Sequence, residues 1–197
     1  PWPASGPLPH ARCSRTVSGI YVALGGNLGD VRETFRRALA DEFPKEKLSP
    51  SRLSAFYRTR AMTLPGAPTQ PDYWNAVCEV KSDLPPHAVL DALLVIESRF
   101  GRVRGERWAP RPLDLDLLLY RDVKVLDPRL VLPHPGVHAR AFVLRPLIDL
   151  APRLAIPGRN ETVEQAWTRL DRPDDEILER VASGVNPAVF RAAPRST

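Results

Sequence analysis

Two carboxylates and a run of arginines share one short segment, residues 99–120, and their types suit the handling of phosphate. Asp114 and Asp116 lie two positions apart in an otherwise apolar stretch. In a strand this spacing places both carboxylates on one face, about 6.6 Å apart along the backbone. Such a pair suits Mg²⁺, which prefers oxygen ligands and keeps several waters. A solvated, alternating strand face is the other interpretation of the pattern.

The arginines that precede this pair would complement such a metal. Five of them fall in one loop-like run: Arg99, Arg102, Arg104, Arg107 and Arg111. Guanidinium groups hold phosphate oxygens through paired hydrogen bonds, so the carboxylates and the arginines together predict a metal-nucleotide site. A loop that faces solvent or nucleic acid is the alternative for the arginines alone. Trp108 inside the run is typical of a ring that closes over a ligand or packs its loop down.

Composition limits the function classes. The chain has 197 residues, of which 43% are hydrophobic, and this fits one domain with a real core. Its formal net charge of +5 allows nucleic acid, a membrane surface or a phosphate-rich small ligand as partner. Cys13 and Cys78 form neither a disulfide framework nor a metal-thiolate spacing, so a reducing cytoplasm is expected. No apolar run approaches the roughly 18 residues needed to span a membrane.

Periodicity and turn residues predict the elements that must position these groups. The predicted strands cover residues 18–24, 51–59, 73–81, 113–120 and 123–126. The predicted helices cover residues 30–42, 87–99, 141–150 and 161–170. The order β-α-β-β-α-β favours an α+β fold, a ferredoxin-like α/β sandwich with a central, mainly antiparallel sheet. Alternating strands, rather than continuous apolar runs, favour the antiparallel arrangement.

Three segments are predicted along the chain. Residues 1–17 are rich in Pro, Ser and Arg, and we expect them to form a disordered extension. We expect residues 18–175 to form the single folded domain that carries the predicted metal-nucleotide site. Residues 176–197 are polar and irregular in pattern, which predicts a partly disordered C-terminal tail.

Five stretches of the chain, taken in order, follow one family pattern. They cover residues 23–30, 56–59, 70–76, 97–116 and 132–147. The most specific is the string Arg-Trp-x-Pro-Arg-x-Leu-Asp-Leu-Asp at residues 107–116. On these motifs the chain resembles the 6-hydroxymethyl-7,8-dihydropterin pyrophosphokinases of folate biosynthesis over roughly residues 18–170. One departure is Arg60, which stands where the family usually has a proline, and the loop at residues 61–69 is also atypical.

The resemblance implies a role for each matching residue. Asp114 and Asp116 would hold two Mg²⁺ ions that bridge the phosphates of ATP, and both count as catalytic together with Arg102, Arg104 and Arg111. The implied ATP-binding residues are Glu97, Arg102, Arg104, Arg107, Trp108, Arg111, His134 and Arg140. The implied pterin-binding residues are Thr59, Met62, Tyr73, Asn75 and Phe142. Tyr73 and Phe142 would enclose the pterin ring between them, and Asn75 would hydrogen-bond its edge.

The expected function follows from the resemblance. The protein would transfer pyrophosphate from Mg-ATP to the hydroxymethyl group of 6-hydroxymethyl-7,8-dihydropterin and release AMP. We expect a cytoplasmic monomer that binds these small molecules, and no nucleic acid or membrane. Two alternatives stay open. One is another Mg²⁺-dependent phosphoryl or nucleotidyl transferase, which would release ADP or pyrophosphate. The other is a basic module that binds single-stranded nucleic acid on its sheet, where Asp114 and Asp116 would repel the phosphates.

Overall fold

The computed structural model describes residues 19–61, 69–102, 109–171 and 177–184. The strands are β1 (Ile20–Gly26), β2 (Ser49–Leu53), β3 (Phe56–Thr59), β4 (Tyr73–Lys81), β5 (Asp114–Tyr120), β6 (Val125–Leu126), β7 (Val131–Leu132) and β8 (Ile177–Val181). The helices are α1 (Val31–Arg37), α2 (Pro86–Arg99), α3 (Ala141–Leu150) and α4 (Val163–Arg169). A π-helical turn over Ala38–Glu42 continues α1. No helix in these described ranges is long and apolar enough to cross a bilayer.

The central sheet has the strand order β5-β1-β4-β3-β8, and β2 pairs with β4 on the edge that β3 also uses. Every recorded strand pairing is antiparallel. Strands β6 and β7 form a separate two-stranded sheet. The predicted α+β class and antiparallel sheet are therefore confirmed.

Helices cover both faces of the sheet. On one face α1 and α2 pack against apolar side chains that alternate along β1 and β5, such as Val22, Leu115 and Leu117. On the other face α3 and α4 pack against Tyr21 and Val77. Leu115 and Leu117 of β5 thus occupy the first core, whereas Leu118 and Leu119 belong to the second. Asp114 and Asp116 face the side that α3 covers. The predicted alternation of Asp114 and Asp116 with Leu115 and Leu117 is confirmed, and it ends at an irregularity in the pairing of β1 and β5 after Leu117.

The single strand predicted over residues 51–59 was wrong, because two strands occupy this range. Strand β2 ends at Leu53 and β3 begins at Phe56. Between them the Ser54 hydroxyl accepts a hydrogen bond from the Val77 backbone N–H at 3.0 Å. A side chain therefore takes the place of a backbone carbonyl in the ladder, and the strand breaks there.

Ordered structure extends past the predicted domain end at residue 175. Strand β8 pairs with β3, and Phe56 lies opposite Val181. Only the two ends of β8 are partly buried, while its three central residues are exposed. An edge strand of this kind carries little hydrophobic alternation, so its sequence looks like a tail. Residues 1–18 and 185–197 lie outside the described residues.

Candidate functional site

A cavity of about 300 Å³ opens between the sheet and the first turn of α3. Its floor is a row of register-paired residues from three neighbouring strands, in which Asp114 lies opposite Gly25 and Gly25 opposite Asn75. A Cβ atom on Gly25 would stand 3.7 Å from the Asp114 Cβ and 3.8 Å from the Asn75 Oδ1. The glycine therefore leaves open floor between a charged residue and an amide.

The cavity has two chemically different ends. We define the charged end by Asp114, Asp116, Arg102 and Arg111, and the neutral end by Thr59, Tyr73, Asn75 and Phe142. Strand β5 supplies the carboxylates, and the segments that flank residues 103–108 supply the two arginines. Strands β3 and β4, with the start of α3, supply the neutral end. The fold thus brings together site residues that the sequence analysis predicted from separate stretches.

At the charged end, two arginines occupy Asp114. The Nη1 of Arg102 lies 2.6 Å from the Asp114 Oδ1, and the Nη1 of Arg111 lies 3.2 Å from the Oδ2. The Asp114 side chain keeps 25% of its surface exposed. Both carboxylate oxygens therefore have a cationic partner while remaining open to the cavity.

Glu97 supports this cluster from behind. Its side chain is 2% exposed, and its Oε1 accepts hydrogen bonds from the backbone N–H of Leu115 at 2.6 Å and from Arg102. Burial raises the pKa of Glu97 to about 7, although the Leu115 N–H and the Arg102 guanidinium oppose the shift. Glu97 therefore links the end of α2 to β5 and holds Arg102 beside Asp114.

Asp116 is the second carboxylate of β5 that lines the cavity. Burial raises its pKa, and repulsion from Asp114 adds to the shift, while His134, Arg102 and Arg140 oppose it. Burial in turn lowers the pKa of His134. The Nδ1 of His134 accepts a hydrogen bond from the Gly136 N–H at 3.1 Å, so in the neutral ring the proton is on Nε2.

The donor set at the charged end fits Mg²⁺. Two carboxylates share one strand face, and their repulsion adds to the burial that raises the pKa of Asp116. Guanidinium groups already supply positive charge to Asp114. Among the described residues no group of three or more His, Cys, Asp or Glu could hold a metal. Such a site suits an ion that takes only one or two protein carboxylates and completes its shell with water and phosphate oxygens.

The neutral end is already ordered by hydrogen bonds. Asn75 is 7% exposed and Thr59 is 5% exposed. The Asn75 Nδ2 donates to the Thr59 Oγ1 at 2.9 Å, which fixes the orientation of the amide. Tyr73 and Phe142 line the same cavity and remain partly exposed to it. Two rings and a fixed amide suit a flat heterocycle with polar edges.

Asn27 connects the two ends, and the sequence analysis assigned it no role. It is 4% exposed, and its Oδ1 accepts a hydrogen bond from the Arg111 N–H at 2.9 Å. Its Nδ2 donates to the Gln70 Oε1 at 3.3 Å and to the Pro71 carbonyl at 3.2 Å. One buried amide therefore ties the segment before β5 to the segment before β4. Its place in the glycine-rich turn after β1 was the only sequence signal.

Of the remaining predicted site residues, two lie near Asp116 and four lie outside the described part of the chain. His134 and Arg140 act electrostatically on Asp116, and the Arg140 guanidinium carbon stands 5.6 Å from the Phe142 ring centroid. Arg60, at the departure from the family pattern, lines the cavity. Four predicted site residues lie outside the described part of the chain: Met62, Arg104, Arg107 and Trp108.

Comparison with known proteins identifies the family. The model of the 7,8-dihydro-6-hydroxymethylpterin-pyrophosphokinase family matches residues 21–152. A 2-amino-4-hydroxy-6-hydroxymethyldihydropteridine pyrophosphokinase from Synechocystis is 40% identical over 153 residues, which are 78% of this chain and 76% of the relative. The protein of the same name from Pseudomonas aeruginosa is 46% identical over 145 residues, 73% of this chain and 88% of the relative.

The fold has a counterpart among solved structures. Plasmodium falciparum HPPK-DHPS, a triple mutant with SDX-DHP, superposes with a TM-score of 0.60 at 13% sequence identity. The match covers 80% of this chain and 45% of that longer chain. The family resemblance drawn from the five motifs is confirmed by these comparisons. The chain therefore belongs to the 7,8-dihydro-6-hydroxymethylpterin-pyrophosphokinase family and is an enzyme of pyrophosphoryl transfer to hydroxymethyldihydropterin in folate biosynthesis.

Proposed function

We propose that the charged end binds ATP with two Mg²⁺ ions and that the neutral end binds 6-hydroxymethyl-7,8-dihydropterin. The observation that carries this proposal is that one cavity has a carboxylate pair and arginines at one end and two aromatic rings with a fixed amide at the other. Gly25 leaves the floor open between them, where the hydroxymethyl group of the pterin would meet the phosphates. The separation suits a reaction between one highly charged and one neutral substrate.

The chain's own residues would mainly align the two substrates and neutralise the charge of the phosphates. Asp114 and Asp116 would hold the Mg²⁺ ions, which supply charge neutralisation to the transferred group when bound. Arg102 and Arg111, together with Arg104, would contact phosphate oxygens in the same step. The described residues present no general base aimed at the neutral end, and we assign none. Positioning two substrates in one cavity can by itself supply a large part of the acceleration.

Further residues near the charged end would support the binding of ATP. Glu97 would hold Arg102 at the correct place, and Arg140 and His134 would reach nucleotide phosphates beside Asp116. Arg107 and Trp108 would belong to the loop that closes over ATP. Closure of a loop over the phosphates would exclude water and so limit hydrolysis of ATP.

At the neutral end, each predicted pterin-binding residue would have a distinct role. Tyr73 and Phe142 would stack on the two faces of the ring, and Asn75 would bond its polar edge. Thr59 would hold the Asn75 amide in place by the hydrogen bond of 2.9 Å. Met62 would complete the pocket from the loop before β4.

The nucleotide product tests the proposal. The protein is incubated with Mg-ATP and the reduced hydroxymethylpterin, and the products are separated by ion-exchange chromatography. We expect AMP and the pyrophosphorylated pterin in equal amounts. ADP would indicate single phosphoryl transfer, and free pyrophosphate would indicate nucleotidyl transfer. An incubation without pterin is the control for simple hydrolysis of ATP.

Cytoplasmic residence and a monomeric state complete the proposal. Cys78 is a buried free thiol, which accords with a reducing compartment. Light scattering coupled to gel filtration tests the monomer, with an expected mass near 22.0 kDa.

A further inference from the structure

A second polar cluster lies beneath α3, outside the lining of the cavity. Tyr57 of β3 is 1% exposed, and its hydroxyl is 3.0 and 2.9 Å from the two carboxylate oxygens of Asp149. The Nε of Arg180 donates to the same hydroxyl oxygen at 3.0 Å. The hydroxyl therefore donates to Asp149 and accepts from Arg180. This anchor network, Tyr57 with Asp149 and Arg180, joins three elements: β8, β3 and the last turn of α3.

Asp149 fastens the end of α3 to the start of β3. The backbone N–H of Ala55 donates to the Asp149 Oδ2 at 3.1 Å, in addition to the bond from Tyr57. The Asp149 side chain keeps only 15% of its surface exposed, although the residue as a whole stands at an open helix end. A carboxylate turned inward at this position fixes the helix against the sheet.

The charges around Tyr57 hold the cluster together. The guanidinium carbon of Arg145 stands 5.5 Å from the Tyr57 ring centroid, and that of Arg180 stands 5.8 Å from it. Cations at such distances are attracted by the ring face. The Nη1 of Arg145 also lies 3.5 Å from the Asp149 Oδ1. Burial raises the pKa of Tyr57, so its hydroxyl keeps the proton that it donates.

The same helix carries a wall of the cavity at its other end. Phe142, in the first turn of α3, shares the cavity with Thr59, whereas Asp149 contacts Ala55 and Tyr57. Helix α3 therefore runs antiparallel to β3. Asp149 follows Phe142 by seven positions in the helix, a rise of about 10 Å. The anchor at the end of α3 therefore acts on the height of Phe142 above the floor through the helix, in which Pro146 lies between the two residues.

We propose that Tyr57, Asp149 and Arg180 are positioning residues for the pterin. The anchor network sets the gap between Phe142 and Tyr73. It acts less on the nucleotide site, because Asp114 and Asp116 belong to β5 on the far side of β1 and β4, although Arg140 at the start of α3 adjoins Phe142. The inference rests on the pterin site proposed above. Arg180 lies beyond residues 21–152, which the family model matches, so a strand outside that match contributes to binding of the acceptor.

The test separates pterin binding from nucleotide binding. Tyr57→Phe removes the shared hydroxyl and little volume, and Arg180→Gln removes the guanidinium group with its charge. Arg129→Gln is the matched control, since Arg129 forms an exposed ion pair with Asp91 at 2.5 Å. Calorimetry measures pterin affinity in the presence of Mg²⁺ and a non-hydrolysable ATP analogue. A second titration measures the affinity for the analogue alone.

We expect the pterin dissociation constant to rise about three- to tenfold in Tyr57→Phe, the factor that one or two lost hydrogen bonds provide. Arg180→Gln should show a smaller rise, and Arg180→Lys should recover part of it because it keeps the positive charge. The dissociation constant of the nucleotide should stay within about twofold in all three variants and in the control.

Two results would overturn the inference. Pterin affinity within about twofold of wild type in both Tyr57→Phe and Arg180→Gln would show that the network only stabilises the fold. An equal loss of nucleotide and pterin affinity would show general loosening instead. Arg180 is 56% exposed, so its variants remain informative if Tyr57→Phe does not fold. A wild-type protein that binds the nucleotide analogue but no pterin would contradict the proposed pterin site itself.

Discussion

The two ends of the cavity differ in how their polar atoms are occupied before any ligand arrives. At the charged end Asp114 is held by Arg102 and Arg111, the same arginines that are proposed to contact phosphate. At the neutral end the Asn75 amide donates one N–H to Thr59 and already faces the cavity. Ligand binding at the charged end therefore requires an exchange of partners, whereas the Asn75 amide at the neutral end is already oriented.

This difference has an energetic consequence. A metal or a phosphate that binds at the charged end must first break the ion pair between an arginine and a carboxylate, which cancels part of the attraction it gains. The net affinity at the charged end therefore depends on metal and phosphate binding together. A pre-ordered amide gives up little conformational freedom on binding. We therefore expect the charged end to respond to changes of charge, and the neutral end to respond to the loss of single hydrogen bonds.

The largest effect should follow from removing a carboxylate. In Asp114→Ala or Asp116→Ala we expect turnover to fall by about a thousandfold or more, because several kcal/mol of charge stabilisation in the transfer step are lost. Steady-state assays at saturating Mg²⁺ measure the change, with circular dichroism as the check on folding. Asp91→Ala, at an exposed ion pair, is the control. Turnover within about tenfold of wild type in either variant would contradict the two-metal assignment.

Removing Arg102 should have opposite effects on metal binding and on turnover. In Arg102→Gln the nucleotide-free protein should bind Mn²⁺ about tenfold more tightly, because a competing cation has left Asp114. Turnover should fall, since the same guanidinium is proposed to hold phosphate oxygens. Electron paramagnetic resonance of free Mn²⁺ measures the affinity. Arg99→Gln is the control, as Arg99 pairs with surface glutamates. An unchanged Mn²⁺ affinity would mean that the arginine does not compete for the carboxylate.

A smaller and one-sided effect is expected at the neutral end. Asn75→Ala would leave the polar edge of the pterin without a partner, at a cost of about 1–3 kcal/mol of binding free energy. Calorimetry with a non-hydrolysable ATP analogue measures this loss, and the affinity for the analogue itself should not change. Pterin affinity equal to that of wild type would show that the amide does not bind the ring.

The smallest effect, and the one that both ends should share, is expected from Asn27. In Asn27→Ala the segments before β4 and β5 lose their common amide, so pterin and nucleotide affinities should each fall about threefold. Separate titrations of the two ligands measure the two losses. A decrease at one end alone would show that Asn27 supports only that end. Asn160→Ala, far from both segments in the chain and outside the cavity lining, is the control.

Local pattern was sufficient for much of the fold and for the carboxylate pair. The alternation around Asp114 and Asp116 predicted their common face, and the structure shows apolar packing on the opposite face of β5. The helix at residues 141–150 was also predicted correctly despite Pro146. These features depend on residues close together in sequence, where periodicity carries the signal.

The features that were missed depend on distant partners. The break after Leu53 is stabilised by the hydrogen bond from the Val77 N–H to Ser54, and the edge strand β8 forms by pairing with β3. Likewise, nothing near Asn27 in the sequence indicates that its amide meets Gln70 and Arg111. Such contacts arise from the register of the assembled sheet, which a local pattern does not contain.

The row of paired residues under the cavity makes activity a measure of correct folding. Gly25, Asn75 and Asp114 meet there from three separate regions of the chain. A slip of one residue between β1 and β5 would turn the carboxylates into the apolar core, and a slip of two residues would keep their face but shift them out of line with the amide. Pairings between such distant segments form slowly. In a refolding experiment we therefore expect helical circular dichroism to recover before catalysis does.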